Sequence, residues 1–226
     1  MISEPAMPGD KLRIGVLASG SGSNLQSIID RCADGSLAAT IAVVISNVPG
    51  AGALERARKA GIPTSCIDHK KFADRQAFDR EVVAALQIAG VDLVVLAGFM
   101  RIISDVFLEA YPQQIINIHP ALLPAFPGLH VQKKALEYGA KFAGCTVHFV
   151  DGGVDTGPII IQAVVPVLDS DTEATLAAKI LKEEHRIYPR AIQLIAEKRL
   201  KLVGRRVVVD PPLELAATAQ HNPALD

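Results

Sequence analysis

The feature that most limits the fold is a regular alternation of two hydrophobic patterns. Short runs rich in Val, Ile and Leu are followed by segments with helical spacing of apolar residues, as in Leu25, Ile28 and Ile29. Strands that are joined by helices run parallel as a rule. The sequence therefore predicts an α/β, Rossmann-like fold, with a mostly parallel twisted sheet, helices on both faces and a late antiparallel pair of strands. The predicted strands cover residues 12–18, 40–46, 63–67, 91–97, 115–118, 141–150 and 158–167.

Two helix starts are indicated by the spacing of a capping box, in which two side chains bond each other's backbone N–H. Ser23 and Gln26 have this spacing before the first helix, and Ser170 and Glu173 have it before the last long helix. We therefore expect these residues to begin the two helices.

The length of the chain suits one domain. With 226 residues, we expect a single domain over 1–210, which includes a loose N-terminal tail at 1–10, and a disordered C-terminal tail at 211–226. The N-terminus lacks the pattern of an export signal, and the longest apolar run is too short to cross a bilayer. We therefore expect a cytoplasmic protein.

Composition gives no support for several kinds of partner. A net charge of −1 gives no reason to expect binding to nucleic acid, and no stretch of the sequence predicts a membrane-spanning segment. The cysteines Cys32, Cys66 and Cys145 are widely spaced and form no C-x-x-C motif, so they predict reduced thiols and no metal. We expect a monomer or homodimer that binds small molecules.

The strand at 115–118 ends in the most informative polar residues of the chain. Side chains alternate between the faces of a strand, so Asn117 and His119 share one face and Ile118 points the other way. Pro120 then stops the strand, at the edge where open α/β sheets bind ligands. An amide can stabilise an oxyanion, and an imidazole can move a proton near neutral pH. A polar strand end without a function is the alternative.

The turn after the first strand, Ser19-Gly20-Ser21-Gly22-Ser23-Asn24, has the composition of an anion site. Backbone N–H groups and the helix dipole converge there on negative charge. Leu25 occupies the third glycine position of a dinucleotide fingerprint, and no acidic residue ends the second strand, so a single phosphate monoester fits better than a pyrophosphate. A tight turn that binds nothing remains the alternative.

Two further acids stand out. Asp155 lies in the glycine-rich loop 151–157, which can bend closely around a ligand, although such an Asp is often only a turn residue. Glu184 falls on the apolar stripe of the last helix, where a carboxylate needs a partner.

Asn117-Ile118-His119-Pro120, followed by Leu122-Leu123-Pro124 and Pro127-Gly128-Leu129-His130, resembles the signature of the folate-dependent formyltransferases. The resemblance extends from about Arg13 to about Leu202. It implies that 10-formyltetrahydrofolate is the cosubstrate and that its formyl group passes to the amino group of glycinamide ribonucleotide, in de novo purine biosynthesis. The implied mechanism is direct attack through a tetrahedral intermediate.

The resemblance also implies roles for individual residues. His119, Asn117 and Asp155 would be catalytic, with Asp155 holding the charged form of His119. The ribotide would be bound by Gly22, Ser23, Asn24 and Glu184. The folate would be bound by Arg75, Met100, Arg101, Ile102, Ile103, Asn117, Asp151 and Asp155.

Several of these assignments have plain alternatives. Met100 and Ile102 would be core residues in most proteins, and Arg75 a surface cation. His130 and His148 are weaker candidates, and a structural role is expected for His148. Leu181 departs from the family pattern, which has a polar and often basic residue three positions before the Glu.

Rival functions are disfavoured by what the chain lacks. Two rivals share the catalytic domain but carry an additional one. A formyltetrahydrofolate hydrolase has an N-terminal regulatory domain before it, and a methionyl-tRNA formyltransferase has a basic C-terminal domain after it. The incomplete glycine fingerprint disfavours a nicotinamide oxidoreductase, and the absence of Gly-x-Ser-x-Gly disfavours a serine hydrolase. A nucleotide-binding module without activity remains open.

Overall fold

The computed structural model describes residues 11–212. The expected tails at 1–10 and 211–226 lie outside these residues, except for positions 211 and 212. The helices are α1 Ser23–Ala33, α2 Gly52–Lys59, α3 Arg75–Ile88, α4 Asp105–Ala110, α5 Val131–Tyr138 and α6 Glu173–Ala196. The strands are β1 Leu12–Leu17, β2 Ala39–Ser46, β3 Thr64–Cys66, β4 Leu93–Leu96, β5 Ile115–His119, β6 Phe142–Phe149, β7 Ile159–Pro166, β8 Leu200–Val203 and β9 Arg206–Val209.

Seven of these strands form one sheet in the order β3-β2-β1-β4-β5-β6-β7. The first five run parallel, and β6 and β7 each run antiparallel to the preceding strand. The predicted fold is therefore confirmed, including the late antiparallel pair. The strand order reverses between β1 and β4, which is where open α/β sheets form a ligand crevice.

The core lies on both faces of the sheet because side chains of successive strand residues point in opposite directions. On one face, α1, α2 and α6 pack against the sheet through residues such as Leu25 and Tyr188. On the other, α3 and α4 pack through residues such as Phe78 and Phe107. No helix within residues 11–212 has the length and hydropathy that a membrane span requires.

Both helices start at a predicted residue, α1 at Ser23 and α6 at Glu173, but neither predicted capping box forms. Gly22 precedes α1 in a left-handed conformation, without a side-chain cap, and Gln26 instead bonds Asp30 at 2.8 Å. The α6 helix starts after Thr172, which forms the capping box with Thr175. The β8–β9 hairpin was not predicted from the sequence.

Candidate active site

The candidate site lies where the carboxyl ends of the central parallel strands meet. Leu96 of β4 pairs with Asn117 of β5, so the loops after these strands leave the sheet side by side. Asn117 and His119 share one face, since Ile116 and Ile118 pack into the core on the opposite face. His119 is buried and Asn117 is half-buried.

Asp155 reaches this face from the loop after β6. Its Oδ2 lies 3.3 Å from Nδ1 of His119 and accepts a hydrogen bond of 2.9 Å from the N–H of Gly128. Its φ of 55° is in the left-handed region, where Asp is tolerated better than most residues. The fold thus brings the carboxylate and the imidazole that the sequence had singled out into contact.

Both ring nitrogens of His119 face hydrogen-bond acceptors. Nε2 lies 2.9 Å from the carbonyl oxygen of Phe126, and Nδ1 faces the carboxylate of Asp155. A neutral imidazole has a single N–H, so only the doubly protonated ring donates to both partners. The geometry therefore suits a proton donor beside the amide of Asn117.

His148 belongs to the same cluster. It lies opposite Asn117 in the β5–β6 ladder, with Nε2 3.2 Å from the Asn117 amide nitrogen and 3.7 Å from Oδ1 of Asp155. Burial lowers the pKa of the His148 imidazole, against the opposing effects of a hydrogen bond to Phe149 and the Asp155 charge.

The hydrogen bonds of His148 fix its tautomer and the orientation of the amide. Nδ1 donates to the carbonyl oxygen of Phe149 at 2.8 Å, so Nε2 of the neutral ring accepts from the Asn117 amide. In the described part of the chain the second N–H of that amide has no hydrogen-bond partner, so it is available for a ligand. Sequence reasoning gave His148 little weight, and the signal that would have found it is its pairing with Asn117 in an antiparallel register.

Backbone strain is concentrated around this cluster. Among the described residues, five that are not glycine have left-handed φ, and Phe126, His130 and Asp155 are three of them. His130 itself is exposed and precedes α5 as its N-cap. Strained conformations persist where the surrounding structure enforces them, and they are common at functional sites.

The predicted anion loop is held against α2. Gly22 has a φ of 76°, and a Cβ at this position would lie 2.6 Å from the Ala53 Cα, so only glycine fits without a shift. Gly22 is followed by the half-buried Ser23 and the buried Asn24, which open α1. The backbone N–H groups of this turn are thus fixed at the first turn of a helix.

Asn24 and Glu184 are brought together from distant parts of the chain. The Asn24 amide donates to Oε2 of Glu184 at 2.6 Å, and Oδ1 of Asn24 is buried without a hydrogen-bond partner within residues 11–212. Burial raises the pKa of the Glu184 carboxyl, and the bond from Asn24 opposes this in part. Leu181, one turn earlier in α6, is half-buried and brings no polar group.

The segment after β4 exposes apolar side chains. Met100 is 67% exposed and Ile102 is 58% exposed, so the alternative of ordinary core residues is wrong for both. Ile103 is buried in the core between α3 and the sheet, and the guanidinium carbon of Arg101 lies 6.0 Å from the centre of the Phe78 ring. Exposed apolar groups beside a polar cluster are typical of a small-molecule site.

The other two residues that the resemblance assigns to the folate lie differently. Arg75 is the exposed first residue of α3, and no hydrogen bond or ion pair joins it to the cluster within residues 11–212. Asp151 shapes its own loop, since Oδ1 accepts from Thr156 Oγ1 at 2.5 Å and from the Gly153 N–H at 3.1 Å. In the described part of the chain, no group of three His, Cys, Asp or Glu residues is placed to hold a metal ion.

Comparison with known proteins gives one matching family and several close relatives. The model of the family described as "Formyl transferase" matches residues 12–192. The chain is 47% identical over 210 residues to phosphoribosylglycinamide formyltransferase of Escherichia coli, covering 91% of this chain and 99% of the relative.

A longer relative and a solved structure also resemble this chain over most of its length. The chain is 52% identical over 185 residues to the trifunctional purine biosynthetic protein adenosine-3 of Drosophila melanogaster; the match covers 81% of this chain but only 14% of that protein. Glycinamide ribonucleotide transformylase 1 of Symbiobacterium toebii superposes with a TM-score of 0.88 at 54% identity, covering 92% of this chain and 99% of that one.

Proposed function

The chain belongs to the formyl transferase family, and we propose that it transfers the formyl group of 10-formyltetrahydrofolate to the amino group of glycinamide ribonucleotide. The products are formylglycinamide ribonucleotide and tetrahydrofolate, a step of de novo purine biosynthesis. The names of the relatives support the ribotide as the acceptor of a formyl group, and the folate donor is proposed from the resemblance of the signature. The observation that carries the chemistry is the 3.3 Å contact between His119 and Asp155, beside the amide of Asn117.

The proposed reaction needs no nucleophilic side chain, because the ribotide amine attacks the formyl carbon. The new C–N bond forms as the carbonyl oxygen gains negative charge, and this tetrahedral intermediate collapses by breaking the bond to folate N10. The proton lost by the amine goes to N10, directly or through water. Atoms and charge balance without an oxidant or a metal.

The protein side of this mechanism is assigned to three residues. The second N–H of Asn117 and the N–H at Nε2 of His119 stabilise the oxyanion. To do so, Nε2 of His119 exchanges the Phe126 carbonyl oxygen for the formyl oxygen as its acceptor. Asp155 holds the imidazole through Nδ1. An oxyanion donor in place before the reaction is worth about 2.7–4 kcal/mol.

The binding residues are proposed on the same basis. The phosphate of the ribotide binds the turn at Gly22, Ser23 and Asn24, whose N–H groups open α1. The carboxylate of Glu184 accepts hydrogen bonds from the ribose hydroxyls, either in place of the bond from Asn24 or in addition to it. With Leu181 in the usual polar position, the turn binds the phosphate without a cation from that position.

The folate is proposed to lie along the segment 100–103. Met100 and Ile102 supply apolar contacts to its ring, and the backbone of Arg101 and Ile103 supplies hydrogen bonds. Asp151 and Asp155 border the same ligand from the opposite loop, and Arg75 meets its anionic tail.

The partners are proposed to be small molecules only, with the protein acting as a monomer or a homodimer. We also propose a cytoplasmic location. The spacing of the three cysteines supports this location, because they form no C-x-x-C motif and predict reduced thiols.

One assay tests the proposal. Purified protein is incubated with 10-formyltetrahydrofolate, with and without glycinamide ribonucleotide, and both the folate and the ribotide products are measured. We expect deformylation only when the ribotide is present, with one formylated ribotide per folate. Deformylation without the ribotide would instead indicate a hydrolase, and ribotide binding without turnover would indicate a binding module.

Variants test the assignment of the residues. Asp155→Ala and His119→Ala are each expected to lower kcat by about 10²–10⁴-fold, the usual contribution of a placed acid or base. Asp169→Ala serves as the matched control, because its side chain is 97% exposed and pairs with Lys141 on the surface. Transfer at the wild-type rate in Asp155→Ala would contradict the assignment.

A further inference from the structure

The segment 100–104, between β4 and α4, is fixed at both ends by side chains from other elements. At its start, the N–H of Met100 donates to Oγ of Ser19 at 2.8 Å. At its end, the N–H of Ser104 donates to Oδ2 of Asp79 at 2.6 Å. The side chains of Met100 and of Ile102, which lies between the two anchors, are mostly exposed.

The anchor at Asp79 is the stronger of the two. Asp79 lies in α3, is 1% exposed, and accepts the N–H with a carboxylate. This bond is the shorter of the two, 2.6 Å against 2.8 Å, and a hydrogen bond in a buried setting is electrostatically stronger than one in water. A buried carboxylate that reaches a backbone N–H of a distant segment therefore fixes the position of that segment.

The polar groups around this anchor are incompletely satisfied. Oδ1 of Asp79, Nε of Arg101 and Oγ of Ser104 are buried without a hydrogen-bond partner, three of the six such side-chain atoms within residues 11–212. Each unpaired buried polar atom costs about 1–3 kcal/mol. Three such costs at the end of one segment show that this part of the fold is not arranged for stability alone, and a role in positioning the segment is consistent with that.

We propose that Asp79 is a positioning residue for folate binding. By holding the N–H of Ser104, it keeps Met100 and Ile102 directed away from the core, beside the β5 end that carries Asn117. Asp79 touches neither substrate, and its effect is transmitted through the backbone of 100–104. This inference rests on the proposed function, because the ligand of the segment is taken to be the formyl folate.

The test compares Asp79→Leu, which removes the acceptor, with Asp79→Asn, which keeps an oxygen acceptor for the Ser104 N–H. Kinetics are measured for both substrates. We expect Asp79→Leu to raise the KM for 10-formyltetrahydrofolate by up to about tenfold, the factor that corresponds to the loss of one hydrogen bond, and to leave the KM for the ribotide within about twofold. Asp79→Asn should recover most of the loss.

Asp105→Asn is the control, since this exposed acid follows Ser104 and starts α4. A second measurement, hydrogen exchange at the amide of Ser104, reports on the anchor without turnover. Exchange at this amide is expected to be faster in Asp79→Leu and to stay slow in Asp79→Asn. If Asp79→Leu does not fold, Ser19→Ala is used instead, because it releases the other end of the segment and is expected to raise the KM for 10-formyltetrahydrofolate.

Three results would overturn the proposal. One is a folate KM unchanged by Asp79→Leu and Ser19→Ala, another is an equal rise in the KM of both substrates, and the third is an unchanged exchange rate at Ser104. Failure of the proposed function is recognised separately, because the wild-type protein would then form no formylated ribotide.

Discussion

At Gly157, the single methyl group that a Gly157→Ala substitution adds is expected to move Asp155 away from His119. A Cβ at Gly157 would lie 1.8 Å from the carbonyl oxygen of Phe149, a backbone atom that cannot rotate away. Contacts of a Cβ below 3.0 Å are essentially not observed, so the backbone of the loop or of β6 must move by about 1.2 Å in Gly157→Ala.

That movement reaches the site in two ways. The loop carries Asp155, whose Oδ2 is 3.3 Å from His119, and the displaced Phe149 oxygen is the acceptor for Nδ1 of His148. A misplacement of about 1 Å near the chemistry can cost about 10²-fold in rate. We therefore expect Gly157→Ala to lower kcat by about 10²-fold.

The assay is the rate of ribotide formylation at saturating concentrations of both substrates, with thermal unfolding measured in parallel. Gly152→Ala is the matched control, because a Cβ at Gly152 meets nothing within 4 Å and the loop keeps its path. We expect near wild-type rates in Gly152→Ala. A kcat in Gly157→Ala within about threefold of wild type would refute the reasoning, since a displacement of about 1.2 Å at Asp155 would then have no effect on the chemistry.

Two further predictions concern groups outside the catalytic cluster. Burial raises the pKa of the Glu184 carboxyl above its unfolded value of 4.5, so its contribution to stability is present below about pH 4.5 and is lost as the pH rises through the folded pKa. The side chain of Glu184→Gln cannot ionise, so the free energy of unfolding of this variant, measured in urea, should rise relative to that of the wild type from pH 4 to pH 8. The KM of the variant for the ribotide should also rise. A difference in unfolding free energy that stays constant over that pH range would contradict this prediction. Arg205 of the β8–β9 turn donates to the carbonyl oxygen of Thr156 at 2.5 Å, so Arg205→Ala should make the 151–157 loop a faster target for limited proteolysis. The neighbouring Arg206→Ala is the control, and equal cleavage rates in the two variants would count against this clamp.

Local patterns predicted much of the fold because they depend on neighbouring residues only. The alternation at 115–119 placed Asn117 and His119 on one face, and it follows from the two-residue repeat of a strand. The polar residue on the apolar stripe of α6, Glu184, was also visible as an anomaly that needed a partner. The first capping box does not form because Gly22, which lies close against Ala53 of α2, takes the N-cap position, and the spacing of Ser23 and Gln26 does not contain that contact. The second does not form because Thr172 caps α6 together with Thr175.

The amino-acid order by itself determined which side chains stand at the ends of strands and which face of a helix is apolar, because covalent geometry sets those periods. Only the tertiary structure decided that Asp155 meets His119, that His148 orients the amide of Asn117, and that Asn24 reaches Glu184 across 160 positions. Such meetings depend on the path of loops and on the order of strands in the sheet. These are set by packing of the whole core, and no local stretch of the chain encodes them.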